Sequence, residues 1–160
     1  MPKNNPKNKR NNTPREVPEY EQRLIDLARV TRVMAGGKRM RFRACVVIGD
    51  RKGKVGWGMA KGADVTIAIS KAVSKAKKNI IKAPILEGTI PHQLMTKYKA
   101  AKVFLRPAQK GSGVIAGGAV RAVLELAGFQ DINAKILGSN NKINNVRATF
   151  EAFANIKTEK

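Results

Sequence analysis

The sequence is poor in the residues that most enzyme chemistry requires. One cysteine, Cys45, and one histidine, His92, stand among 160 residues. A single cysteine excludes an internal disulfide framework, and the pair supplies neither a metal cluster nor a nucleophile with its base. His92, within a strand pattern, reads as a packed or surface residue rather than a ligand. Acids are scarce too, eleven Asp and Glu against thirty-two Lys and Arg, and no two of them suggest a catalytic pair. No apolar run approaches the roughly 18 residues of a spanning helix, and the N-terminus has no apolar signal core. The chain is therefore expected in the cytosol, with no cofactor, metal, small-molecule substrate or membrane span.

What the sequence has is positive charge. A net +21 repels itself in a compact fold unless a polyanion neutralises it, so most of it should face a partner. Nucleic acid fits better than an anionic membrane, because each neutralised phosphate releases condensed counterions. The charge is uneven: residues 20–82 carry 16 basic and 4 acidic residues, and residues 83–160 carry 11 and 5. The partner-facing surface is expected in the first half. Residues 1–19 hold four prolines, five asparagines and five Lys or Arg with almost nothing apolar. Such a segment cannot offset its ordering entropy by burial, and is expected to be disordered alone, either ordering along RNA or serving as a solubilising tail. Residues 157–160 form a second, short tail.

Between the tails the pattern is that of an α+β chain with two small domains, 20–83 and 84–156. Leu24 to Met34 reads as a strand whose broken alternation suggests a bulge. Ala35-Gly36-Gly37-Lys38 is a turn signal. Met40, Phe42, Ala44, Val46 and Ile48 then alternate with Arg41, Arg43, Cys45 and Val47, a strand with a core face and a partly cationic face. After a Gly49–Gly53 hairpin loop, Val55, Trp57 and Met59 alternate with Lys54, Gly56, Gly58 and Ala60, giving one bulky face and one nearly bare face. The glycines would let a flat partner surface or another backbone approach closely, and Trp57 reads as core rather than as a stacking platform. A helix follows, with Val65, Ala68, Ile69, Ala72, Val73, Ala76 and Ile80 on one stripe and Lys71, Lys75, Lys78 and Lys82 on another. The second domain reads as β-β-α-β-α: strands over Ile90–Lys99 and Lys102–Arg106, a helix over Ile115–Ala127 capped by Gly128, a strand over Ile132–Leu137, and a last helix carrying Ile143, Val146, Phe150 and Phe153.

The glycines raise the question of a nucleotide site. Gly37-Lys38 and Gly53-Lys54 lack the preceding glycine and the following hydroxyl of a phosphate loop, and Gly56-Trp57-Gly58 has Lys61 where a dinucleotide site needs a third glycine. Gly111-Ser112-Gly113-Val114-Ile115-Ala116 does fit G-x-G-x-x-G/A, with Asp131 twenty residues on. A lone fingerprint is weak, and here four residues separate it from its strand.

Longer ordered runs carry a stronger signal. Gly36-Gly37-Lys38, Phe42, Val47-Ile48-Gly49-Asp50, Gly53-Lys54-Val55-Gly56-Trp57-Gly58, Lys61 and Lys71-Ala72 resemble the N-terminal domain of bacterial small-subunit ribosomal protein five. Arg106-Pro107-Ala108, Gly111 through Gly118, Arg121-Ala122-Val123-Leu124-Glu125, Ala127-Gly128, Leu137 through Asn144 and Val146-Arg147-Ala148-Thr149 resemble its C-terminal domain. The resemblance covers about residues 20–156. It implies a double-stranded-RNA-binding-like first domain without the usual leading helix, and a second α/β domain with a left-handed crossover, where pattern alone assigns the right-handed one. It also implies a structural place in the small ribosomal subunit, binding 16S ribosomal RNA and supporting assembly. By the same resemblance, the Thr31–Arg39 loop would reach the ribosomal RNA of head and neck near the spectinomycin site. Gly113 and Arg121 would meet small-subunit ribosomal protein four, where alterations in the family relax decoding accuracy. Ribosomal protein eight and the region where messenger RNA enters would also be neighbours. The chain departs from the family at Ala35, usually Lys or Arg, which bears on one phosphate contact.

The residues expected to carry RNA contact are Arg29, Arg32, Lys38, Arg39, Arg41, Lys52, Lys54 and Lys61, with Lys71, Lys75 and Lys78 of the helix and with Gly36, Gly37, Gly56 and Gly58 allowing close approach. Two other readings stand beside this one. Pro107 followed by Gly111-Ser112-Gly113 faintly resembles the phosphate loop of the galactokinase and mevalonate kinase family, and a double-stranded-RNA binder acting off the ribosome would have the same charge pattern.

Overall fold

The clean alternation over Met40–Ile48 produces the central strand of an antiparallel sheet. In the computed structural model, which describes residues 20–156, that sheet has the order β1-β2-β3-β4. Its strands are β1 (Glu21–Met34), β2 (Gly37–Gly49), β3 (Lys54–Gly62) and β4 (Ile80–Lys82), with helix α1 (Val65–Lys78) between the last two. The broken alternation of β1 is a bulge: the register shifts between Leu24 and Asp26, which places Asp26 opposite Cys45 and within 3.3 Å of Arg43. Expectations for residues 1–19 and 157–160 fall outside the described residues.

Asp64 starts α1, its carboxylate accepting the Val65 N–H at 2.7 Å and the Thr66 hydroxyl at 2.7 Å. Ala68, Ala72 and Ala76 form its fully buried stripe. They lie on Gly56, Gly58 and Gly62 of β3, so small residues on both elements bring helix backbone against strand backbone. A Cβ at Gly56 would sit 2.5 Å from the Ala76 carbonyl oxygen, one at Gly62 2.6 Å from the Ala68 nitrogen, and one at Gly58 closer still to the Ala72 oxygen. The bare face of β3 is thus filled by this chain's own helix. The expected helical stripe runs too far: α1 ends at Lys78, and Ile80 and Lys82 belong to β4, which pairs with Lys54–Gly56. Two successive isoleucines after Asn79 suit a strand, and β4 covers the first three residues of the β3 edge.

The second sheet has the order β5-β6-β8-β7. It comprises β5 (Leu94–Tyr98), β6 (Ala101–Pro107), β7 (Val114–Ile115) and β8 (Ile132–Ile136), with helices α2 (Gly118–Ala127) and α3 (Lys142–Asn155). β7 and β8 are parallel, joined through α2. The expected strand over Ile90–Lys99 shrinks to five residues, because Pro91 cannot donate to a ladder. β7 is an addition to the expected β-β-α-β-α order; at two residues it leaves no alternation to read. Gly128 closes α2 in the left-handed region, φ +99°, as its position promised.

One core joins the two sheets. Val47 and Val55 of the first pack in the same cluster as Val103, Leu105, Leu124, Leu126, Phe129, Val146 and Phe153 of the second. Ala44, Val46 and Ile48 belong to the cluster under α1. β2 is therefore covered on both faces from Ala44 to Ile48, and the second face is cationic at Arg39, Arg41 and Arg43, before the covered stretch begins. The β2–β3 loop seats on the C-terminus of α2: the Arg51 N–H donates to the Leu126 carbonyl at 3.0 Å and the Gly53 N–H to that of Ala127 at 2.8 Å. These carbonyls lack helical partners. Gly49 and Gly128 permit the approach, since a Cβ on either would collide with the backbone of Leu126 or of Arg51.

This packing separates glycines by consequence. Gly58→Ala should destabilise the fold by about 2 kcal/mol or more, the cost of overpacking a site walled by backbone. Gly36→Ala, with nothing within 4 Å of its Cβ, should stay within about 0.5 kcal/mol of wild type. Urea unfolding of the two variants measures the difference.

Candidate nucleic-acid interface

β3 ends at Gly62, opposite Phe42 of β2. Past that point β1 and β2 continue alone to a turn at Ala35-Gly36, and every residue from Thr31 to Arg41 is exposed. Even the apolar ones are: Val33 is 74% exposed and Met40 50%. The register assigns the side chains of this two-stranded arm to its two faces. Val30 pairs with Arg41 and Arg32 with Arg39, on the face that Lys61 of β3 extends through its pairing with Arg43. Together Val30, Arg32, Met34, Arg39, Arg41 and Lys61 line an open groove of about 260 Å³. Arg29, opposite Phe42, and Lys38, opposite Val33, lie on the other face. Gly37, at φ +140°, makes the turn where a side chain would be strained. Gly36 and Ala35 stand exposed at the tip.

The other expected contacts are elsewhere. Lys71, Lys75 and Lys78 are exposed along α1. Lys52 and Lys54 sit at the opposite end of the sheet, where Lys54 pairs with Lys82. Gly56 and Gly58 are buried beneath α1 and present nothing outward, which corrects the expectation that they admit RNA. Spacing alone could not decide between a partner's surface and the chain's own backbone.

Acids explain why the arm remains cationic. Eight lie among the described residues, and seven have partners within the fold. Glu21 binds Arg51 at 2.7 Å, Glu125 binds Arg23, and Asp26 reaches Arg43 at 3.3 Å and Lys142 at 3.7 Å. Glu87 meets Lys110 at 3.1 Å, and Asp50 accepts the N–H groups of Lys52 and Lys54. Asp64 caps α1, and Asp131 accepts the Gly113 N–H at 2.8 Å. None of the seven lines the arm groove, so its cations keep their full charge for an external anion.

The Asp131 contact also disposes of the dinucleotide fingerprint. The residue that would grip a ribose is buried and instead holds the loop at Gly113, φ +70°. Arg121 reaches over the same loop and donates to the Val114 carbonyl at 3.2 Å, so Gly113 and Arg121 share one patch. His92 is exposed. Cys45 is fully buried, and burial pushes its thiol up to about 11. Among the described residues no three His, Cys, Asp or Glu gather in a way that could hold a metal ion. No helix among them is long and apolar enough to cross a membrane. One arrangement had no signature in the sequence: Arg147 of α3 stacks over Trp57 at 4.8 Å and over Tyr98 at 5.4 Å, and donates to the Tyr98 hydroxyl at 2.6 Å.

Both halves of this architecture match one family. Residues 20–84 match the model described as ribosomal protein S5, N-terminal domain, and residues 96–160 the model described as ribosomal protein S5, C-terminal domain. The chain belongs to the ribosomal protein S5 family. Its membership makes it a structural, non-enzymatic ribosomal protein of the small subunit, acting in translation and binding RNA. In S5 terms, the cationic arm and the Gly113–Arg121 patch lie in the two separately matched parts.

The acids impose a pH dependence. Hydrogen bonding from Arg51, then its charge, holds the Glu21 carboxyl below its ordinary value, and the Thr66 hydroxyl and Val65 N–H do the same for Asp64. A carboxylate depressed in the folded state stabilises above its unfolded pKa, about 4, and this contribution is lost as pH falls through the lower folded value. The urea midpoint should be flat above about pH 5 and decline below about pH 4. Glu21→Gln should make that decline shallower. A midpoint unchanged from pH 5 to pH 3 would contradict the account.

Proposed function

We propose that this chain binds 16S ribosomal RNA chiefly through the arm, with Arg32, Arg39, Arg41 and Lys61 on one face and Arg29 and Lys38 on the other, and so supports assembly of the small subunit. The observation that carries this reading is the groove of cations with no acid in it, projecting past the core on a ribbon that buries nothing. Ammonium and guanidinium groups on a narrow two-sided ribbon suit phosphates on either side of a groove, and contact of this kind fixes register without reading sequence. Lys71, Lys75 and Lys78 form a second, flatter contact along α1. Lys52, Lys54 and Lys82 form a third at the far end of the sheet.

The arm is tested by the salt dependence of affinity for a 16S ribosomal RNA fragment. Each phosphate contact contributes about 0.7–0.9 to the slope of log K against log salt. Replacing Arg32, Arg39 and Arg41 together by Gln should therefore reduce its magnitude by about 2–3. An unchanged slope with the fold intact would refute the arm.

The same reading extends to decoding accuracy. The Gly113–Arg121 patch is proposed as the contact with small-subunit ribosomal protein four, with ribosomal protein eight and the region where messenger RNA enters nearby. Arg121 braces the Gly113–Val114 loop from α2, so its loss alters the shape offered to a partner. Arg121→Gln should raise misreading in a stop-codon readthrough reporter; accurate decoding with normal subunit incorporation would count against the assignment.

A further inference from the structure

The second sheet is covered on one side only. Leu94, Val103, Leu105 and Ile132 pack with α2 and α3 in the shared core, so the alternate residues of the same strands face away from it. On that open face the register sets Met95, Phe104 and Lys135 side by side, with Lys97 and Lys102 in the row on one side of them and Arg106 and Asn133 in the row on the other. Met95 is 64% exposed, and Ile115 and Leu137 at the margins 55% each. Phe104 is half-buried yet packs in neither core, so its ring belongs to the open face. Lys97, Lys102, Arg106 and Lys135 are all exposed, and none of the four strands carries an acid. Asn133, paired with Arg106, has a buried side-chain oxygen with no hydrogen-bond partner in the fold, an unmet acceptor beside the ring.

Cations without acids call for a polyanion, and the apolar surface among them narrows which one. A duplex keeps its bases inside and would leave Met95, Phe104 and Ile115 unused. Unpaired nucleotides supply both parts: a flat base for an aromatic ring or a guanidinium plane, and a phosphate for the ammonium groups beside it. Phe104 and Arg106 lie two residues apart on β6, about 7 Å along the strand and on the same face. We propose that the open face of β5, β6 and β8 binds unpaired nucleotides of 16S ribosomal RNA, stacking one base on Phe104 and the next on Arg106, with Lys97, Lys102 and Lys135 on the phosphates. The chemistry differs from that of the arm, which offers charge on a narrow ribbon and no ring. The source of the RNA rests on the chain's place in the small subunit, whereas the stacking does not, and the test separates the two.

The purified full chain is titrated against a labelled oligouridylate and, separately, a labelled RNA hairpin duplex, with fluorescence anisotropy as the readout. Phe104→Ala should weaken the oligouridylate by about fivefold or more and leave the hairpin unchanged, and Phe104→Trp should keep both affinities. Stacking releases no counterion, so the salt slope for the oligouridylate should not move in Phe104→Ala, whereas Lys102→Gln with Lys135→Gln should lessen it by about 1.4. Equal weakening of both RNAs by Phe104→Ala, or no weakening of the oligouridylate, would overturn the platform. The source is then read in cells, with the photo-crosslinking residue p-benzoylphenylalanine placed at Met95, opposite Phe104, and small subunits irradiated after a salt-washed sucrose gradient. Crosslinks to unpaired nucleotides of 16S ribosomal RNA are expected. Crosslinks to paired nucleotides, to messenger RNA or to another protein would overturn the proposal, as would none from a stoichiometric chain. Absence of the chain from the subunits would instead overturn the ribosomal reading.

Discussion

The structure depends on how closely the Gly49–Gly62 segment lets backbone approach backbone. On one side Gly56, Gly58 and Gly62 admit α1 until its alanine stripe touches the strand; at the preceding turn Gly49, with Gly128 opposite it, admits the C-terminus of α2. Neither contact leaves room for a Cβ without displacement. Each stabilises through dispersion and satisfied polar groups, in a protein whose largest side chains are few. Their joint effect is architectural. Strand β2, at the centre of the sheet, is sealed on both faces, and two small layers that would be marginal alone share one core.

Charge is arranged around that core rather than through it. A chain with eleven acids and thirty-two bases cannot neutralise itself, and here it uses its acids where geometry matters. Glu21, Asp26 and Glu125 tie β1 to the loop and helices beside it, while Asp50, Asp64 and Asp131 satisfy backbone N–H groups at turns and a helix start. Exposed pairs of this kind are individually weak. Their value lies in leaving the bases of the arm and of the α1 lysine row away from compensating carboxylate. A ribosomal protein of the S5 family has a polyanionic partner to supply the missing charge.

The period of the hydrophobic pattern made most elements legible before any coordinates: the bulged strand, the alternating strand, the alanine stripe and the Gly128 cap all stand where their residues imply. The misses share a cause. Ile80-Ile81-Lys82 continues the helical period by coincidence, and only pairing with Lys54–Gly56, a non-local contact, makes it a strand. Val114-Ile115 is too short to carry a period. For the site, the cationic residues could be counted but not placed. Whether a glycine faces RNA or the chain's own helix, and which cation an acid far away in sequence neutralises, are decided by tertiary packing alone. The contact of Arg147 with the Trp57 ring and the Tyr98 hydroxyl joins residues 41 to 90 positions apart and has no counterpart in the spacing of the sequence.

The arm poses a physical question that the core answers. A two-stranded ribbon exposed on both faces is marginal in water, yet a phosphate contact holds register only if its cations are held in place before binding. Here the ribbon is not an isolated hairpin. Its strands are the outer ends of β1 and β2, and the inner end of β2 is clamped between α1 and the shared core, so twist and register are set before the ribbon leaves the protein. The ordering entropy of the arm is offset in the core, where burial is greatest, and the spacing of its cations along and across the ribbon is fixed by the register. The close packing of glycines against helices in this sense shapes the arm, although none of those glycines touches the groove.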